Sequence, residues 1–155
     1  PRRSDCQYPE KDLAGVGVAL KLVQGLCIKS KKPKLFSGFI KLAAIGTVAD
    51  VVPLRGENRA IARLGLDQLT NGPHTVGLQA LLDSCGLTGK TIGSYEVGFL
   101  VAPRVNAAGR MSDPDLAARL LLATKSEMAE EARDLAERLN KQNVLRKEEE
   151  AGIKS

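Results

Sequence analysis

The apolar residues of this chain recur at helical intervals and almost never alternate, and that spacing restricts it to a mainly α fold. Between Glu127 and Glu150, Met128, Ala132, Leu135 and Leu139 follow one another at steps of four, three and four, while Glu, Arg and Lys fill the other faces. Only a long, one-sided helix buries such a stripe. At barely two heptads it predicts packing on this domain or connection to a missing one rather than a self-assembling coiled coil. Leu13, Val16, Leu20, Val23 and Cys27 repeat the spacing and leave Lys11, Lys21 and Gln24 outside. The stretch from Phe39 to Val52 is apolar nearly throughout, interrupted by Lys41, Thr47 and Asp50, and is predicted to be buried and largely helical.

Turn and cap residues divide the rest. Pro53 stops the apolar run, and Asn58 is placed to cap a helix with Ile61, Leu64, Gln68 and Leu69 on one face, closed by Asn71-Gly72-Pro73. Leu78, Leu81, Leu82 and Cys85 form a shorter stripe ended by Gly86. Ser94 is predicted to cap a segment that Pro103 ends, with a small-residue loop beyond it. Asp113 and Pro114 read as N-cap and first-turn proline of a helix facing inward through Leu116, Leu120 and Leu121, and the last helix starts near Ser126. Gly15 and Gly17 weaken the first helix and point to close backbone packing or a turn within it.

Composition narrows the function. At 155 residues, 43% hydrophobic and 26% charged, the chain supports a real core. Aromatic residues at 3%, without Trp, leave little for a surface that stacks bases, so nucleic-acid contact must lean on charge. The net charge of +5 is an N-terminal property: residues 1–41 hold nine Lys and Arg against three Asp and Glu, with Lys29, Lys31, Lys32 and Lys34 clustered. A solvated loop is the bland account of that cluster and phosphate contact the functional one. Cys6, Cys27 and Cys85 are odd in number and form no C-x-x-C pair, which predicts reduced thiols and a cytoplasmic protein. With His74 as the single histidine, no zinc-ligand spacing exists. No run reaches the ~18–20 apolar residues of a membrane span. The chain begins at Pro1 and stops while a helical pattern is running, as an excised piece would.

Two segments carry chemistry. Asp50 lies in Ala44-Ile45-Gly46-Thr47-Val48-Ala49-Asp50-Val51-Val52-Pro53-Leu54, among apolar or small neighbours. A carboxylate buried there would have to be protonated, capped by backbone N–H groups, paired with Arg or bound to a metal cation. The second segment, Ala102-Pro103-Arg104-Val105-Asn106-Ala107-Ala108-Gly109-Arg110-Met111, sets two arginines and an amide among residues too small to hide them. Such a set suits phosphate, and equally an arginine that holds helix C-terminal carbonyls.

Gly46 to Leu54, Pro103 to Met111, and Tyr8-Pro9-Glu10-Lys11-Asp12-Leu13-Ala14-Gly15-Val16-Gly17-Val18-Ala19 together resemble bacterial RecJ, the single-strand-specific DNA exonuclease family of the DHH phosphoesterase superfamily. The resemblance implies that Asp50 belongs to the fourth phosphoesterase motif and helps bind a pair of manganese or magnesium ions. It also implies that Arg104, Asn106 and Arg110 approach DNA phosphates or shape the cleft, although Ala102 stands where many relatives carry glycine. The paired aspartates of the first motif, the aspartate of the second and the Asp-His-His are absent from this sequence. By resemblance, therefore, residues 1–125 are the helical C-terminal part of a DHH catalytic domain without its parallel sheet, and residues 126–155 begin a long connecting helix. The implied parent hydrolyses single-stranded DNA from the 5′ end in repair and recombination, alongside other repair proteins, while this piece alone is predicted inactive. A DHH-type phosphodiesterase of short oligonucleotides or cyclic dinucleotides, and a non-catalytic basic helical module, are the rival readings.

Overall fold

The structure, a computed structural model, describes residues 1–110, 113 and 115–152, with Arg110 described by its backbone only. The expectation for Pro114 as a first-turn proline therefore lies outside the described residues. Among the described residues all regular structure is helical. The chain forms two compact units, Pro1–Asn71 with Ile92–Val97, and Gly72–Thr91 with Gly98–Ser155.

In the first unit α1 (Gly15–Lys29), a 3-10 turn (Pro33–Leu35), α2 (Phe36–Ala49) and α3 (Gly56–Asn71) follow in order, and α2 packs on both α1 and α3. Leu13, Leu20, Ile40, Ala43, Ala44 and Ile61 make the core, with Tyr8, Val16 and Phe36 packed on it. The α2–α3 approach is set by Gly65: a Cβ there would overlap the Ala44 methyl and come 2.7 Å from the Ile40 carbonyl oxygen. That backbone contact turns α3 so that Ile61, Ala62, Gly65 and Leu69 are buried while Leu64 is exposed, which corrects the predicted face. Thr70 ties in the returning segment by accepting the Ile92 N–H at 2.9 Å.

Asn58 is not a cap. It lies inside α3, fully buried; its Oδ1 accepts the Ala14 N–H at 3.1 Å, and its Nδ2 donates to the carbonyls of Asp12 at 2.7 Å and Pro53 at 3.1 Å. An amide with both a donor and an acceptor can join three backbone strands at once, a use that helix-start statistics do not reveal.

The second unit holds α4 (Val76–Ser84), α6 (Ala102–Arg110), α7 (Asp115–Leu122) and the long α8 (Ala129–Gly152), which follows a 3-10 turn at Ser126–Met128. Helix α8 packs along α4, α6 and α7 through Ala132, Leu135, Ala136 and Leu139. Leu81, Leu116 and Leu120 are fully enclosed. Helix α4 ends as predicted, with Gly86 at C′: the Gly86 N–H reaches the Asp83 carbonyl at 2.9 Å and the Leu87 N–H the Leu82 carbonyl at 3.0 Å. At its other end Gly77 admits α7, since a Cβ there would overlap the Leu120 carbonyl oxygen. The carboxylate of Asp113 pairs with Arg119 and Arg138, each at 3.2 Å.

Pro103 does not end a helix. A short α5 (Ser94–Glu96) runs into a π turn (Val97–Val101) and then into α6, with Pro103 at the second position of α6. A proline is tolerated in a first turn, and the wider π turn before it absorbs the missing N–H. Gly93, not Ser94, is the N-cap, and its N–H donates to the Glu96 carboxylate at 2.9 Å. No helix among the described residues is long and apolar enough to cross a membrane, and Cys6, Cys27 and Cys85 are free thiols.

Candidate functional site

Asp50 belongs to the first unit and is the C-cap of α2, where its N–H meets the Gly46 and Val48 carbonyls. The apolar run ends in solvent: Asp50 is exposed and Val51 is 88% exposed, which corrects the expectation of burial through Val52. Its sequence neighbours are apolar because the preceding turns of α2 are core, and the chain leaves the core where the helix stops. The Asp50 carboxylate has no hydrogen-bond or ion-pair partner among the described residues. It stands at the negative end of a helix dipole, a placement that costs roughly 0.3–1 kcal/mol. Val51 adds strain with φ 53, a left-handed conformation that costs a β-branched residue about 1–2 kcal/mol. The following loop is pinned through Pro53, whose carbonyl accepts both the Arg55 N–H at 2.9 Å and Asn58 Nδ2.

The Tyr8 block is anchored in the same unit. Tyr8 Oη donates to Glu57 Oε1 at 2.6 Å, and Lys21 Nζ pairs with Glu57 Oε2 at 2.7 Å. Lys21 first and Tyr8 second hold the Glu57 carboxyl below its usual range, while Glu57 raises both Lys21 and Tyr8. Sequence reasoning missed Glu57 and gave Asn58 the role of a cap; the available signal was an acid and an amide one and two residues after the turn glycine Gly56.

The second segment is helical, not a loop, and it presents its polar residues unequally. Arg104 is partly buried within the second unit: Nη1 donates to the Leu100 carbonyl at 2.6 Å, Nε to Asn140 Oδ1 at 3.0 Å and Nη2 to the Ser84 carbonyl at 3.5 Å. It thus joins the π turn, the end of α4 and α8. The Cys85 thiol shares the Leu100 carbonyl at 3.6 Å; burial pushes that thiol up and the Arg104 guanidinium opposes the shift. Ala107 and Ala108 are buried, whereas Asn106 and Gly109 are exposed. Arg110 follows Asn106 by one helical turn, and its side chain lies outside the described residues.

No family model matches the chain. It is 44% identical over 145 residues to the single-stranded-DNA-specific exonuclease RecJ of Bacillus subtilis, a match to 92% of this chain and 17% of that protein. With RecJ of Haemophilus influenzae it shares 39% over 164 residues, 99% of this chain and 28% of that one. Over nearly its whole length the chain is homologous to RecJ. It spans less than a third of the length of these curated RecJ relatives. Its fold matches the crystal structure of Thermus thermophilus RecJ in complex with Mn2+ at TM-score 0.81 and 38% identity, covering 95% of this chain and 21% of that one. A RecJ structure bound to manganese gives TM-score 0.82 at 37% identity over 97% of this chain and 37% of that one.

RecJ homologue structures thus carry Mn2+ or Mg2+. Asp50 supplies one open carboxylate, but no group of three or more His, Cys, Asp or Glu gathers among the described residues. One carboxylate is a ligand and not a site, so the described residues do not by themselves fit a two-ion centre.

Proposed function

We propose that this chain is a helical part of a metal-dependent RecJ exonuclease, which hydrolyses phosphodiester bonds of single-stranded DNA from the 5′ end. Homology over nearly the whole chain to RecJ proteins, including one in complex with Mn2+, is the observation that carries the reading. In it Asp50 is a metal ligand whose partner ligands come from other parts of the parent. Local physics supports that role: an unpartnered carboxylate at a helix C-terminus, beside a strained Val51, has an unfavourable position that a bound cation would offset. Divalent ions there would activate water and spread the charge of the phosphate. Asn106 and Arg110, one turn apart on α6, are the phosphate-facing positions, and Arg104 holds that helix in place while two of its five N–H donors remain for DNA. Alone, without the partner ligands, the chain is inactive.

The test is Asp50→Asn in the intact parent. Manganese affinity and hydrolysis should both fall, the latter by roughly 100-fold or more, about 3 kcal/mol of transition-state stabilisation. Because Asp50 is exposed and makes no internal bond, the unfolding free energy should stay within about 0.5 kcal/mol of wild type. A folded variant with near-normal turnover would end the metal-ligand assignment.

A further inference from the structure

Between Leu13 and Ala49 the chain carries six lysines and not one Asp or Glu. Two have evident places: Lys21 pairs with Glu57, and Lys41 is buried in α2. The other four, Lys29, Lys31, Lys32 and Lys34, are exposed on the turn between α1 and α2, and none of their ammonium groups has a partner among the described residues.

The turn that displays them is closely defined. The Lys31 N–H reaches the Ile28 carbonyl at 3.0 Å and the Lys32 N–H the Cys27 carbonyl at 2.9 Å, the paired bonds that close a helix C-terminus. Lys31 takes φ 57 in the position where glycine is usual. Pro33 then opens the 3-10 turn that leads directly into α2. Dipole complementarity accounts for Lys29, which lies in the last turn of α1. It works against Lys32 and Lys34, which precede the positive ends of the 3-10 turn and α2, and neither first turn holds an acidic residue. Four mutually repelling charges on six residues, without an internal counter-charge, form a surface complementary to a polyanion.

We propose that the turn from Lys29 to Lys34 is a second nucleic-acid contact, which grips the phosphate backbone of a single strand by charge alone. It lies at the opposite end of α2 from Asp50, on the order of 20 Å away by the helical rise, so it is not part of the Asp50 position. Ammonium groups act as point charges toward phosphate and do not read bases, so the contact is independent of sequence and sensitive to salt. The choice of single-stranded DNA as the polyanion rests on the RecJ reading; the basic turn itself does not.

The experiment measures binding of the chain to a labelled oligothymidine over a range of KCl in EDTA. Lys31, Lys32 and Lys34 are changed together to Gln, and a charge-matched variant carries Gln at the exposed Lys90, Lys125 and Lys147. Circular dichroism verifies that both keep the helical fold. The turn variant should bind at least about tenfold more weakly at low salt, and its slope of log K against log salt should be shallower by about 2, at ~0.7 per lost contact on a single strand. The matched variant should keep the wild-type slope, and Asp50→Asn should bind like wild type in EDTA. Near-normal turnover of Asp50→Asn in the parent, with this binding intact, would overturn the metal assignment and leave the basic turn standing. Equal weakening of both triple variants, no binding by the wild-type chain at low salt, or an unchanged turn variant would each overturn the proposal. Displacement of the bound strand by anionic phospholipid vesicles at lower phosphate concentration would overturn it in favour of a lipid surface.

Discussion

The segment around Asp50 and the segment around Arg104 look alike in sequence, each setting charge among small or apolar residues, yet the fold treats them in opposite ways. Asp50 is left in solvent at the end of α2 with no internal partner, whereas Arg104 is drawn into its unit and bonded to Leu100, Ser84 and Asn140. The difference is one of available acceptors. A helix C-terminus offers carbonyls, which repel a carboxylate and attract a guanidinium. Arg104 can therefore be satisfied by the ends of neighbouring elements, while Asp50 at a similar kind of end cannot. An internally satisfied charge supports the scaffold, and an internally unsatisfied one is available to a ligand.

That contrast can be broken by substitution. Asp50→Asn is expected to have the largest effect on activity and almost none on stability, as set out above. Asn58→Ala should be the most destabilising change, at about 3 kcal/mol, because it strands the buried Ala14 N–H and removes the side-chain donor from the Asp12 carbonyl, while the Pro53 carbonyl keeps only the Arg55 N–H. Denaturant unfolding measures that loss, and a change below about 1 kcal/mol would show that water takes over those groups. Arg104→Ala should cost about 2 kcal/mol by the same measurement, and Arg104→Lys should restore little, since an ammonium cannot reproduce the guanidinium fork. If Arg104→Ala instead leaves stability intact and only flattens the salt dependence of DNA binding, Arg104 resembles Asp50 after all. The smallest effect is a gain: Val51→Gly should stabilise by about 0.5–1 kcal/mol, relief of the left-handed strain less the added freedom of the unfolded glycine. A loss of stability there would show that the Val51 side chain is needed.

Much of the fold was legible because helical burial leaves a periodic trace. The stripes through Leu20, Leu81, Leu120 and Leu139 predicted elements that the structure contains, and the Gly86 cap follows from glycine's tolerance of the left-handed region. Pro103 misled because a proline reads as a stop wherever the chain is taken to be a plain α-helix. A π turn ahead of it changes the register and lets the helix proceed. The face of α3 was placed wrongly because Gly65 contributes nothing to a hydrophobic pattern and yet sets the closest helix contact of its unit.

The sequence by itself determined the helical class, the resemblance to RecJ carried by three blocks, and the accumulation of lysine between Leu13 and Ala49. Each is a property of residue identity and order, which spacing and charge express without reference to distant parts of the chain. Only the tertiary structure decided that Asp50 is open, that Arg104 is engaged, and that Asn58 joins three stretches of backbone. Those outcomes depend on which carbonyls and amides from remote positions come within about 3 Å of a side chain, and hydrogen bonding at that range is set by packing rather than by neighbours in sequence.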